Sequence, residues 1–127
     1  MADEVVAVAM EIDAARKVLR DEVLRLKGFE KIHLLAEARY RVERTRVTDG
    51  LGKGQEYMID LGTPDEQMVG GKVAASNIKG LAEGIIAKWF VKMGMAKIDV
   101  DVCKTMINAA ETDLDALRSK NKYLSHT

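Results

Sequence analysis

Glu30-Lys31-Ile32-His33 sets a carboxylate and an imidazole three residues apart, and Glu37 follows one turn later. On a helix these three side chains share a face, the arrangement from which carboxylate-rich metal centres in helical bundles are built. Such a centre needs two Glu-x-x-His motifs plus further carboxylates, and this chain has one motif and one other histidine, His126. A symmetric dimer would have to supply the second copy. A carboxylate/histidine metalloprotein formed at a dimer interface is therefore the weakest of three functional readings. A solvated helix face explains the same residues with no metal, and no cofactor is expected.

The densest basic segment offers different chemistry. Arg39, Arg41, Arg44, Arg46 and Lys53 can meet phosphates, and Tyr40 among them can stack on a base, as a nucleic-acid-binding arm would require. The competing explanation is a helix face on which Glu37/Arg41 and Arg39/Glu43 form i,i+4 pairs. Two glycine stretches could cradle a phosphate, Gly50-Leu51-Gly52-Lys53-Gly54 and Gly70-Gly71-Lys72-Val73. Neither matches a phosphate-binding loop, which needs Ser or Thr after the lysine and a preceding parallel strand, so both read as turns.

Cys103, the single cysteine, sits between Val102 and Met106, surroundings that make a thiol inert rather than nucleophilic. Asp99/Asp101 and Asp113/Asp115 are two residues apart, which on a helix aims them at different faces, so no acid/base pair emerges and no enzyme is expected. Gly80-Leu81-Ala82-Glu83-Gly84 is a small-xxx-small pattern that lets a neighbouring helix approach closely. With Ala87, Trp89 and Phe90 beside them, Gly80 and Gly84 are the candidate subunit contact.

The elements that must position these groups are mainly helices. Val5, Val8, Ile12, Ala15 and Leu19, extended by Val23 and Leu26, form one apolar stripe. Gly28 before Phe29 then reads as a left-handed cap, predicting helices over about 3–27 and 29–46. Over 38–47 helix is favoured, but Tyr40, Val42, Thr45 and Val47 also suit a strand. With the turn at Asp49-Gly50, the alternative is a β-hairpin arm over 38–61 that pairs with Glu56–Leu61. Thr63-Pro64-Asp65-Glu66 is a capping box with proline at the first helical position and predicts a helix from about 64 to 95. Its inner stripe is Ala74, Ile78, Leu81, Ile85, Trp89 and Met93, with Ile86 and Phe90 widening it. A last helix over about 100–122, capped by Asp99 or Asp101, carries Cys103, Met106, Ala110, Leu114 and Leu117 inward. The fold class is thus mainly α, a bundle of three to four helices in a single domain over 1–127.

Composition narrows the function class. With 47% hydrophobic but only 5% aromatic residues and one proline, the chain suits helices packed through aliphatic side chains. One cysteine excludes an internal disulfide, and the N-terminus has no basic segment leading into an apolar run, so a soluble, cytoplasmic chain is expected. No run approaches the length of a membrane span. Formal charge is zero, yet it is segregated: residues 1–15 carry −4, 16–53 carry +5, 54–71 carry −4, 72–97 carry +4, 98–117 carry −4 and 118–127 carry +3. Such blocks suit subunits that associate through complementary surfaces. The leading expectation is a non-enzymatic helical assembly or interaction protein, of the adaptor or viral structural kind, that partners itself or other protein subunits. Nucleic-acid binding by residues 39–53 is the first alternative, and no membrane partner is expected.

Overall fold

The computed structural model describes residues 2–59 and 67–126. In chain order its elements are α1 (Ala2–Gly52), β1 (Glu56–Ile59), β2 (Gln67–Gly70), α2 (Ala75–Ile85) and α3 (Ala87–Ser125). The fold is mainly α with a small two-stranded antiparallel hairpin. The chain divides into two compact units, Met1–Lys31 with Lys97–Thr127, and Ile32–Ala96.

In the first unit α1 and α3 pack antiparallel. Val8 and Ile12, near the start of α1, meet Leu114, with Leu117 and Leu124 near the end of α3 closing the cluster. Further along α1, the backbone at Glu22 meets Cys103, an earlier residue of α3. The sheltered positions are Val5, Val8, Ile12, Ala15, Leu19, Glu22, Leu26 and Phe29 on α1, and Val100, Cys103, Ile107, Ala110, Leu114, Leu117, Asn121 and Leu124 on α3. Both sets alternate steps of three and four without a slip. That 3.5-residue period is the seam of a left-handed coiled coil, not the 3.6 period of a straight helix. The seam corrects two assignments. Glu22 takes the seam in place of Val23, and Ile107 takes it in place of Met106, which is 50% exposed.

The same phase explains why the expected breaks are absent. Leu26 and Phe29 are consecutive seam positions, so the stripe crosses Gly28 unshifted and α1 runs on to Gly52 as one helix. Gly28 is exposed, with no atom near its missing side chain, and its intrinsic penalty of about 1 kcal/mol is small beside a continuous seam. Likewise Met93, Ala96 and Val100 carry the α3 stripe past Gly94, so the last helix begins at Ala87 rather than near 100 and needs no aspartate cap.

The second unit has a denser centre. Val47 and Leu51 of α1, Ala82 of α2 and Ile86 at the α2–α3 junction form its buried cluster, with Tyr40, Tyr57, Ile78, Leu81, Ile85 and Trp89 against it. The helix expected over 64–95 is replaced by three pieces. The capping box Thr63–Glu66 lies outside the described residues. Residues 67–70 are strand, paired to β1 in the register Glu56↔Gly70, Tyr57↔Val69, Met58↔Met68 and Ile59↔Gln67. Gly70 and Gly71 then adopt φ of +127° and +77°, a left-handed backbone that no α-helix continues through. α2 starts only at Ala75 and stops at Ile86, whose φ,ψ of −97°, 10° leave the helix. Ile86, 1% exposed, stays on the cluster with Ile85 and Trp89 to either side of this break. The hairpin is therefore real but displaced: residues 38–47 are helix, and β1 pairs forward with 67–70 rather than back with 38–47.

Candidate functional site: a cation–aromatic cluster

The arginine segment lies on α1 in the second unit, and helical geometry splits it. Arg39 and Arg46 lie on the side of Glu43, which is only 7% exposed and engages both, Oε1 with Arg39 at 3.1 Å and Oε2 with Arg46 at 2.7 Å. The hydrogen bond to Glu43 holds the Arg46 guanidinium above its ordinary pKa. Arg46 also lies 5.6 Å from the centre of the Tyr57 ring on β1. Arg39 lies 4.7 Å from the centre of the Trp89 ring, and α3 adds Lys88 at 5.3 Å and Lys92 at 4.6 Å from the same ring. The result is a chain of contacts, Tyr57–Arg46–Glu43–Arg39–Trp89–Lys88/Lys92, with four cations to one carboxylate. Lys88 and Lys92 have no ion-pair partner among the described residues. A cation over an aromatic face contributes about 0.5–1 kcal/mol at exposed sites.

On the other side of α1, Arg41, Arg44, Thr45, Thr48 and Asp49 line an open cleft with Lys79 of α2. Arg41 is bound by Glu37 at 2.8 Å and Lys53 by Asp49 at 2.9 Å, the latter bond raising the lysine's pKa. Arg44 makes no ion pair among the described residues. Tyr40, the expected stacking residue, is half-buried with its ring 5.8 Å from that of Phe90.

The remaining candidates are placed as follows. Gly80 and Gly84 lie exposed on α2, and among the described residues nothing comes within 4 Å of where a side chain would start, so no described helix packs on that surface. Ala87 and Phe90 line a small recess with Tyr40 and Glu83, and Phe90 is 56% exposed. Trp89 instead belongs to the cationic cluster. Glu30, His33 and Glu37 all lie on α1, with Glu37 occupied by Arg41. Among the described residues no group of three or more His, Cys, Asp or Glu side chains could hold a metal ion. The two glycine stretches converge, Gly52 and Gly54 lining one cleft with Gly71 and Lys72, while Lys53 is bound to Asp49. Cys103 is buried, donating to the Glu22 carbonyl at 3.3 Å and facing its carboxylate at 3.6 Å. Burial, reinforced by Glu22, pushes the thiol pKa up.

Sequence reasoning missed Glu43, Lys88 and Lys92 as members of one site. The i,i+4 spacing of Arg39/Glu43 and of Lys88/Lys92 was visible, but nothing local joins two segments some fifty residues apart. No helix among the described residues is long and apolar enough to cross a membrane. The chain matches no protein-family model, no curated protein and no solved structure.

Proposed function

We propose that this chain is a non-enzymatic helical interaction protein, a subunit of an oligomer or larger complex of the adaptor or viral structural kind. The observation that carries this reading is the back of α3. In the first unit the seam residues Val100, Cys103 and Ile107 are buried, while Ile98 and Val102, across the helix from them, are 60% and 51% exposed and Met106, flanking the seam, is 50% exposed. A helix that is apolar on two sides calls for cover on both, and here one side has it. On α1 of the same unit Val6, Met10, Val18 and Leu24 are also exposed. The second unit adds Phe90, Val91 and Met95, and the uncovered glycines of α2.

Nucleic-acid binding by 39–53 has less support. Arg39, Arg41, Arg46 and Lys53 are each engaged by a carboxylate of α1, and the Tyr40 ring lies against that of Phe90. Light scattering coupled to size exclusion tests the assembly reading. The wild type should run at a multiple of 14.1 kDa. Replacing both Ile98 and Val102 with serine should lower that mass with helical circular dichroism unchanged, since neither side chain is in the intrachain seam. A wild type that is monomeric at all concentrations would remove the reading.

A further inference from the structure

We propose that the cationic cluster around Trp89 seats the acidic helix segments of a second copy of this chain, forming a charge-complementary head-to-tail contact. The inference rests on the assembly reading above and names a surface and a partner for it.

The cluster has charge to spare. Glu43 is saturated by Arg39 and Arg46, one oxygen each, so Lys88 and Lys92 remain unmatched on α3. Three cations already crowd the Trp89 ring, so the patch presents ammonium and guanidinium groups rather than a free stacking face. That chemistry fits carboxylates better than it fits a nucleobase.

The complement is found in the other unit. Asp3, Glu4 and Glu11 on α1 and Glu111 and Asp113 on α3 form no ion pair among the described residues. Glu11 precedes Ile12, and Glu111 and Asp113 lie within a turn before Leu114. Ile12 and Leu114 share one buried cluster, which sets the acidic stretches of the two helices at the same level of the pair, next to a cleft that Asp13 lines with Arg16, Arg20 and Arg118. The whole chain has no net charge, so copies do not repel as they approach, and opposite patches on different units set orientation and register. Because patch and complement are different surfaces, each contact leaves one of each free. The assembly closes as a ring or grows as a filament. Exposed ion pairs contribute little individually and are screened within about 10 Å at 0.1 M salt. The contact should therefore be salt-sensitive, unlike the apolar face of α3.

The test measures the mass of the full chain by light scattering at low and moderate salt, with the absorbance ratio at 260 and 280 nm recorded. The variants are K88E/K92E, E111K/D113K and the four substitutions combined. All four positions are exposed, and circular dichroism checks that each variant folds. The expected result is a wild-type mass at least about twofold above the monomer that falls with added salt. Either double variant should lose that low-salt mass, and the combined charge swap should recover it. A wild-type multimer whose mass ignores salt and survives K88E/K92E would overturn this contact while leaving the apolar assembly reading intact. A monomer at every salt would overturn both. Nucleic acid that co-elutes with the wild type and is lost in K88E/K92E would assign the patch to a polyanion and overturn the self-contact.

Discussion

The two compact units solve the problem of burying a helix in different ways. The first uses two partners, α1 and α3, along a single seam, so each helix keeps most of its circumference in solvent and much of what it shows there is apolar. The second brings α1, α2, the start of α3 and β1 onto one cluster, and Val47, Leu51, Ala82 and Ile86 are 0–2% exposed. The first is thus a minimal core beneath an exposed, partly apolar surface. The second is a small core that organises charge around its rim, fixing Arg46 on Tyr57 and Arg39 on Trp89 through one carboxylate.

The contrast is sharpest at the core. Leu51→Ala should destabilise the second unit by about 3–5 kcal/mol, because neighbours on several elements cannot all move into the space. Leu114→Ala, at a site of similar burial, should fall near 2 kcal/mol, since two helices can close toward each other. Urea melts followed by circular dichroism read both, and equal losses would break the distinction.

Gly70→Ala is expected to be nearly as damaging, about 2–3 kcal/mol. Its backbone stands at φ +127° and a side chain there would meet the Gln55 backbone. Tryptophan fluorescence during unfolding would show whether the hairpin, through Tyr57, is needed to hold the cluster beside it. Gly28→Ala is the control in the first unit, where the helical backbone and open space predict a gain of up to about 1 kcal/mol.

Glu43→Gln should cost about 1–2 kcal/mol by weakening the charge-assisted bonds to Arg39 and Arg46. It should also loosen Arg39 from the indole, seen as a shift in Trp89 emission. No change in emission would mean that Lys88 and Lys92 alone define the ring's surroundings.

The smallest effect concerns Cys103. Its thiol has a raised pKa in the folded chain, so the unfolded chain loses the proton first. The stability linked to this group is whole below the ordinary thiol value of 9.0 and is lost as pH rises from there through the native value. Iodoacetamide should label the native protein slowly at pH 8 and rapidly in urea. Fast native labelling would show that the seam opens at Cys103.

Much of the first unit was written in the residues themselves. Val5, Val8, Ile12, Ala15 and Leu19 repeat often enough to define a helix and its inward face without a partner in view. The two misplaced positions, Glu22 and Ile107, arise because an apolar residue stands beside each, Val23 and Met106, and residue type alone does not choose between neighbours. The inert, buried Cys103 was legible from its apolar surroundings. In the second unit local signals competed. Tyr57 to Ile59 suited a strand only within the alternative hairpin over 38–61, and the observed pairing with Gln67 to Gly70 depends on contacts that neither segment encodes alone. The break at Ile86 has no local signal, since Ile78, Leu81, Ile85 and Trp89 keep one helical stripe across it. The Trp89 site was half visible, its arginines found and its lysines missed. Helical periodicity is a local property that sequence carries directly. The convergence of Arg39, Glu43, Lys88 and Lys92 on one ring is a consequence of how two helices pack, and only the tertiary structure decides it.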